Sequence, residues 1–192
     1  MFGAVVMTTL ILDVFGTLIE KRPRRTNPYS KLADAAGGEM RLPFLTRNEP
    51  ISVLADELDV GFLAPYLERQ IKTEIDSFRL YPDVPQTLLE WRGRGFQIAV
   101  CSNLAFEYCA AVRGLLPMVS DFIFSCEIGA AKPDPEIYAS TCRLLKCRPR
   151  DALFIGDSKR ADYDGPRAFG IKARQINRGQ GELLAHCFPG SC

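Results

Sequence analysis

A chain of 192 residues, 47% hydrophobic and 24% charged, has a globular composition and enough length for a substantial core, which excludes wholesale disorder. Its 24 basic and 23 acidic side chains leave a net charge of +1, against the basic excess of a general nucleic-acid binder. The single histidine, His186, excludes histidine-rich metal sites and most histidine-based triads.

In chain order, the opening Met-Phe-Gly-Ala-Val-Val-Met lacks the basic flank of a signal peptide. It reads as a vector remnant or as a misplaced start ahead of Met7. No apolar run approaches the roughly 18 residues of a membrane span. Residues 8–14 form an unbroken apolar run closed by Asp13-Val14, as in a central parallel strand covered on both faces. Gly16 then allows a sharp turn. Residues 20–79 read as a small all-helical insertion. Proline and arginine cluster first, with the basic run Lys21, Arg22, Arg24 and Arg25 read as a solvated linker. The alternative puts one of these arginines in a cleft against an anion. Apolar residues then recur at helical spacing in Ile51, Leu54, Leu58 and in Leu63, Leu67, Ile71, Ile75, Phe78.

From Leu80 onward strands and helices alternate. The pattern predicts helices over 82–93, 104–113, 133–146 and 160–169, and strands over 96–101, 122–125, 152–155 and 172–176, with Asp134 as an N-cap. Trp91 and Phe96 read as core, and the tail after Gly179, His186 included, carries no signal. Repeated β-then-α order with polar residues just past each strand predicts an α/β fold: a doubly wound, Rossmann-like parallel sheet. The expected division is a core of residues 1–19 and 80–192 with an insertion at 20–79. Seven cysteines, an odd set with no Cys-x-x-Cys pair and several in apolar context, point to buried reduced thiols in the cytoplasm.

In open parallel sheets ligands bind at the carboxyl ends of the strands. Those ends carry Asp13, Ser102-Asn103 and Asp157, and Lys132 opens the helix after another strand. Such a set suits an anionic substrate. Asp13 can attack as a carboxylate nucleophile, while Ser102 and neighbouring N–H groups bind anionic oxygens and Lys132 neutralises charge. Asp157 and Asp162 can hold a hard cation, most simply Mg²⁺, which screens Asp13 from the incoming anion. The plain alternatives are a turn cap for Asp13, a solvated loop lysine for Lys132 and helix-start carboxylates for Asp157 and Asp162. Tyr138 reads as a packing residue.

Together these motifs resemble the haloacid dehalogenase-like hydrolase superfamily. Its first motif matches Asp13-Val-Phe-Gly-Thr17-Leu, its second Ser102-Asn103, its third Lys132-Pro-Asp-Pro-Glu-Ile-Tyr138, and its fourth Gly156-Asp-Ser-Lys-Arg-Ala-Asp162. Tyr81-Pro-Asp-Val-Pro-Gln-Thr-Leu is similar to the family's lead into the second motif. The helical insertion lies where subfamily I carries its cap. The resemblance implies catalytic roles for Asp13, Thr17, Ser102, Asn103 and Lys132, with substrate binding by the last three. It also implies a Mg²⁺ site built from Asp13, the backbone carbonyl of Phe15, Asp157 and Asp162.

One position departs from the family's phosphatases, which carry an acid/base aspartate two residues after the nucleophile. Here that residue is Phe15, and the missing role is worth roughly 10²–10⁴-fold. Dehalogenases of the family lack that aspartate, because halide leaves without a proton, but their fourth motif differs and they work without metal. The surroundings of Arg41 do not match their halide-gripping arginine. The expectation is therefore a Mg²⁺-dependent phosphatase acting on a small phosphate ester through an aspartyl-phosphate at Asp13. The alternatives are a metal-independent 2-haloacid dehalogenase and a weakly active or non-catalytic binding protein. The expected partner is a small anionic substrate, with no nucleic acid, no membrane, and a monomeric or homodimeric state.

Overall fold

The computed structural model describes residues 9–20, 27–38 and 43–188. Met1–Val6, Met7, the basic run at 21–25, Arg41 and Cys192 lie outside the described residues.

A run such as Thr9-Leu-Ile-Leu12 has no polar face, so it is stable only where both faces are covered. It forms β1 (Thr9–Leu12), whose four residues are all buried. Around it are α1 (Pro28–Ala35), α2 (Ile51–Glu57), α3 (Ala64–Asp76), α4 (Val84–Gly93), β2 (Gln97–Ser102), α5 (Phe106–Leu115), β3 (Asp121–Phe124) and α6 (Ser125–Ile128). The chain continues through α7 (Pro135–Leu145), β4 (Ala152–Gly156), α8 (Gly165–Phe169) and β5 (Lys172–Gln175). All five strands are parallel, in the order β3-β2-β1-β4-β5, with β1 at the centre. The doubly wound sheet expected from the sequence is present.

Strand alternation sends successive side chains to opposite faces. Leu10 and Leu12 share one core with Ile98, Val100, Leu153 and Ile155, covered by Leu88 and Trp91 of α4 and by Tyr108 and Val112 of α5. Ile11 shares the other with Ala99, Cys101 and Phe154, covered by Ile137, Tyr138 and Leu145 of α7. Register decides where the chemistry falls. Leu12 pairs with Val100 on one side and Ile155 on the other, so Asp13, Ser102 and Asp157 leave the sheet at one end.

Residues 27–79 contain helices and no strand among the described residues. The apolar positions predicted from spacing are inward, with Ile51, Leu54, Leu67 and Ile71 all buried. This segment leaves and rejoins the sheet layer through neighbouring backbone: Glu20 N donates to the Arg79 carbonyl at 2.9 Å and Tyr81 N to the Leu18 carbonyl at 3.0 Å. Two carboxylates tie it to α5. Glu74 of α3 accepts from the Tyr108 hydroxyl at 2.7 Å and from Asn27 N at 3.0 Å. Glu107 of α5 accepts from the Tyr29 hydroxyl and from Ile51 N.

Two expectations are revised. The helix predicted over 160–169 is split into a π-helical turn, Lys159–Asp164, and α8. Pro166 has no N–H for the Asp162 carbonyl and its ring crowds that carbonyl, so the preceding turn widens. The tail after Gly179, silent in the sequence, docks on α4: Leu184 and Cys187 are buried, and the Phe188 ring lies 4.7 Å from Phe96 and 6.1 Å from Trp91. Asp134 does cap α7, accepting from Glu136 N at 2.9 Å. The described cysteines are free thiols, five of them buried. No helix among the described residues is long and apolar enough to cross a membrane.

Candidate active site

Asp13 follows β1 directly, and its N–H still donates to the Ile155 carbonyl of β4 at 2.9 Å, so the last strand bond fixes the root of its side chain. Two donors converge on one of its oxygens. Ser102 Oγ donates to Oδ1 at 2.9 Å and Lys132 Nζ to the same atom at 2.8 Å. The Lys132 ammonium also donates to Asp162 Oδ1 at 2.6 Å and to the Cys101 carbonyl at 3.0 Å, so its three protons have three acceptors. Asn103 faces the Lys132 backbone: its Nδ2 donates to the Lys132 carbonyl at 2.8 Å and its Oδ1 accepts from Lys132 N at 2.7 Å. This amide cross-link ties the turn after β2 to the loop that delivers the lysine.

Asp162 lies in the π-helical turn and is buried, its second oxygen held by Ser158 N at 2.9 Å. Asp157 packs on Gly16. A Cβ at position 16 would stand 2.3 Å from Asp157 Oδ2, and Gly16 has φ +83°, so that turn admits glycine for two independent reasons. Oxygens of Asp13, Asp157 and Asp162 lie within 4.8 Å of one another.

This crowding has an electrostatic signature. Burial, then the charge of Asp13, pushes the Asp162 carboxyl up to about 6, against the pull of Lys132 and the Ser158 N–H. Burial alone would lower the Lys132 ammonium, but Asp13 and Asp162 outweigh it and hold the group above its ordinary range. Three carboxylates face one ammonium, leaving two negative charges in excess when all are ionised. An all-oxygen cluster with that excess fits a hard divalent cation.

Thr17 lies on the same loop. It is fully buried, and its Oγ1 has no hydrogen-bond partner among the described residues, a state that costs about 1–3 kcal/mol. Thr17, Leu18 and Ile19 all direct their N–H groups at the Val14 carbonyl, which winds the loop tightly after Asp13. The Phe15 ring meets Phe78 edge-on at 5.0 Å, and Phe78 lies 5.8 Å from Tyr108, so position 15 joins an aromatic contact with the helical segment. Tyr138 packs as expected, buried against Phe154 and Phe169 with its hydroxyl on the Ala161 carbonyl at 2.6 Å. The fold thus gathers Asp13, Thr17, Ser102, Lys132, Asp157 and Asp162 at one sheet end, with Asn103 behind the lysine. Sequence reasoning missed Arg178, which also reaches this loop from the C-terminal tail.

The sequence profile of haloacid dehalogenase-like hydrolases matches residues 7–170. The chain belongs to this family. It is a haloacid dehalogenase-like (HAD) hydrolase, as its four motifs suggested. Over 111 residues it is 33% identical to the glyceraldehyde 3-phosphate phosphatase of Methanopyrus kandleri, covering 56% of this chain and 48% of that one. Over 101 residues it is 36% identical to (S)-2-haloacid dehalogenase 1 of a Pseudomonas species, covering 51% of this chain and 44% of that one. Among solved structures, the HAD phosphatase from Thermococcus onnurineus has a TM-score of 0.65 at 25% identity, covering 90% of this chain and 87% of that one. The chain spans about half the length of the first curated relatives it matches. Both chemistries expected of the HAD motifs, phosphate and halide release, thus occur among its relatives.

Proposed function

We propose that this HAD hydrolase is a Mg²⁺-dependent phosphatase of small phosphate esters. The carrying observation is the third carboxylate. Asp157 adds charge beside Asp13 and Asp162, an arrangement with a purpose if a cation joins them. In the proposed reaction an Asp13 oxygen attacks phosphorus, the bond to the ester oxygen breaks, and an aspartyl-phosphate forms; water then releases inorganic phosphate and restores Asp13. Ser102 and Lys132 fix the attacking carboxylate through Oδ1, and the Lys132 charge offsets that of the incoming phosphoryl group. The Thr17 hydroxyl, without a partner among the described residues, is a further donor at the loop. Asp13, Asp157, Asp162 and the carbonyl of Phe15 are the ligands we assign to Mg²⁺, which when bound neutralises the cluster and the incoming dianion.

Residues 20–79 act in this reading as a helical cap over a cleft for a small soluble anion, with no nucleic-acid partner. The free thiols fit a reducing cytoplasm, and the protein works as a monomer or homodimer. Phe15 supplies no proton to the departing oxygen, so esters with acidic leaving groups should react fastest. The test is turnover of p-nitrophenyl phosphate with Mg²⁺, abolished by EDTA and by Asp13→Asn. Absence of turnover on every phosphate ester, with and without Mg²⁺, overturns the reading.

Phe15 also favours a second reading, metal-independent halide release from a 2-haloacid through an ester on Asp13. Chloride or bromide release that survives EDTA would select it. A third reading, a weakly active binding member, predicts that Phe15→Asp raises phosphatase turnover by orders of magnitude.

A further inference from the structure

One cation from the C-terminal tail meets the loop that follows Asp13. Arg178 lies three residues past β5, and only 6% of its side chain is exposed. Its Nε and Nη2 both donate to the Thr17 carbonyl, at 3.1 and 2.7 Å. Its Nη1 donates to the two carboxylate oxygens of Asp83, both at 2.9 Å, and to the Glu182 carbonyl at 3.1 Å. The guanidinium carbon stands 4.3 Å from the centroid of the Tyr81 ring. Asp83 therefore spends its carboxylate on Arg178 and on Leu184 N, at 2.6 Å, and makes no side-chain cap bond at the start of α4.

We propose that Arg178 is a positioning residue of the active site. Two N–H groups of one rigid fork on a single carbonyl fix the plane of the peptide joining Thr17 to Leu18. The N–H on the other side of that plane, from Leu18, bonds the Val14 carbonyl at 2.8 Å, the residue next to Asp13. Holding this plane sets both the tilt of the Asp13–Thr17 turn and the direction of the buried Thr17 hydroxyl. The proposal rests on the reading of Asp13 as nucleophile given above.

The competing explanation is a staple: Arg178 pairs with Asp83 only to pin the tail onto α4. Two variants separate the roles. Arg178→Lys keeps a positive charge for Asp83 but cannot offer a planar fork to Thr17. Asp83→Asn removes the ion pair but leaves Arg178 its bonds to the Thr17 carbonyl. With Mg²⁺ and p-nitrophenyl phosphate, the expected result is a kcat about 10²-fold lower in Arg178→Lys, with KM changed far less. Asp83→Asn should keep kcat within about threefold while melting at a lower temperature. Tens of millimolar guanidinium should restore part of the kcat of Arg178→Ala, and none in Asp83→Asn. Amide hydrogen exchange at Leu18 and Ile19 should quicken in Arg178→Lys and not in Asp83→Asn.

Equal losses of kcat in the two variants, or an unchanged kcat in Arg178→Lys, would overturn the proposal. If the unaltered protein turns over no phosphate ester, the phosphatase reading fails. The exchange comparison needs no turnover and then decides by itself: equal exchange in both variants shows that Arg178 does not hold the loop.

Discussion

At the scale of single residues, the site is governed by a buried charge balance that one lysine maintains. Lys132 donates to Asp13 and Asp162 from a position where solvent cannot replace it. Removing one member of a buried ion group leaves the others uncompensated, which typically costs about 3–5 kcal/mol. Lys132→Met should lose stability of that order in urea unfolding at pH 7, and the deficit should shrink at acid pH as the carboxyls protonate. Gly16→Ala tests space in place of charge. Its Cβ would enter the position of Asp157 Oδ2, and the left-handed backbone adds a penalty of about 1–2 kcal/mol. Displacing Asp157 should cost about 10²-fold in turnover, read together with a weakened Mg²⁺ titration.

Most of these residues were legible in the sequence because each polar group interrupts or ends an apolar strand, and the strands share one register. Asp13 after Leu12 and Ser102 after Cys101 announce themselves this way. Arg178 does not. It follows a short exposed edge strand, and its value lies in contacts with Thr17 and Asp83, far away in the chain. Asp83 stands at the start of α4, where a carboxylate ordinarily caps the helix, yet its charge is turned to Arg178.

At the scale of elements, what the sequence could not show was how neighbouring segments adjust to one another. Periodicity identified the apolar faces of α2 and α3 but not their polar ties to α5, because Glu74 and Glu107 look like ordinary exposed acids on helices. In the fold each of them joins α5 to the helical segment. The π-helical turn was hidden for a similar reason, since Pro166 acts one turn upstream of itself. Tyr108→Phe removes one donor from Glu74 while leaving the aromatic contact with Phe78 intact. The expected loss is about 0.5–1.5 kcal/mol. Amide exchange should rise in α3 and stay unchanged in β1, marking the tie as one between the helical segment and α5.

At the scale of the whole molecule, a net charge of +1 conceals an acidic focus at one end of the sheet. The direction of its pH response follows from Asp162. Its carboxyl is raised from an ordinary 3.8 to about 6, so without a cation the folded state holds that proton more tightly than the unfolded chain does. The contribution is therefore fully present below about pH 3.8 and is lost as pH rises through about 6. At pH 8 the cation-free protein carries the repulsion in full, and a divalent ion has the most to relieve. At pH 5 the proton already occupies the site and competes with the metal. Mg²⁺ at about a hundredfold over its Kd should stabilise the fold by about 2.7 kcal/mol at pH 8, a rise in Tm of about 5–10 °C. The rise should be much smaller at pH 5, and a potassium salt of equal ionic strength should not reproduce it. Asp162→Asn should flatten the difference between the two pH values. A Mg²⁺ shift of equal size at pH 5 and pH 8 would place the ion away from these carboxylates, because only a site that includes Asp162 has to displace that proton.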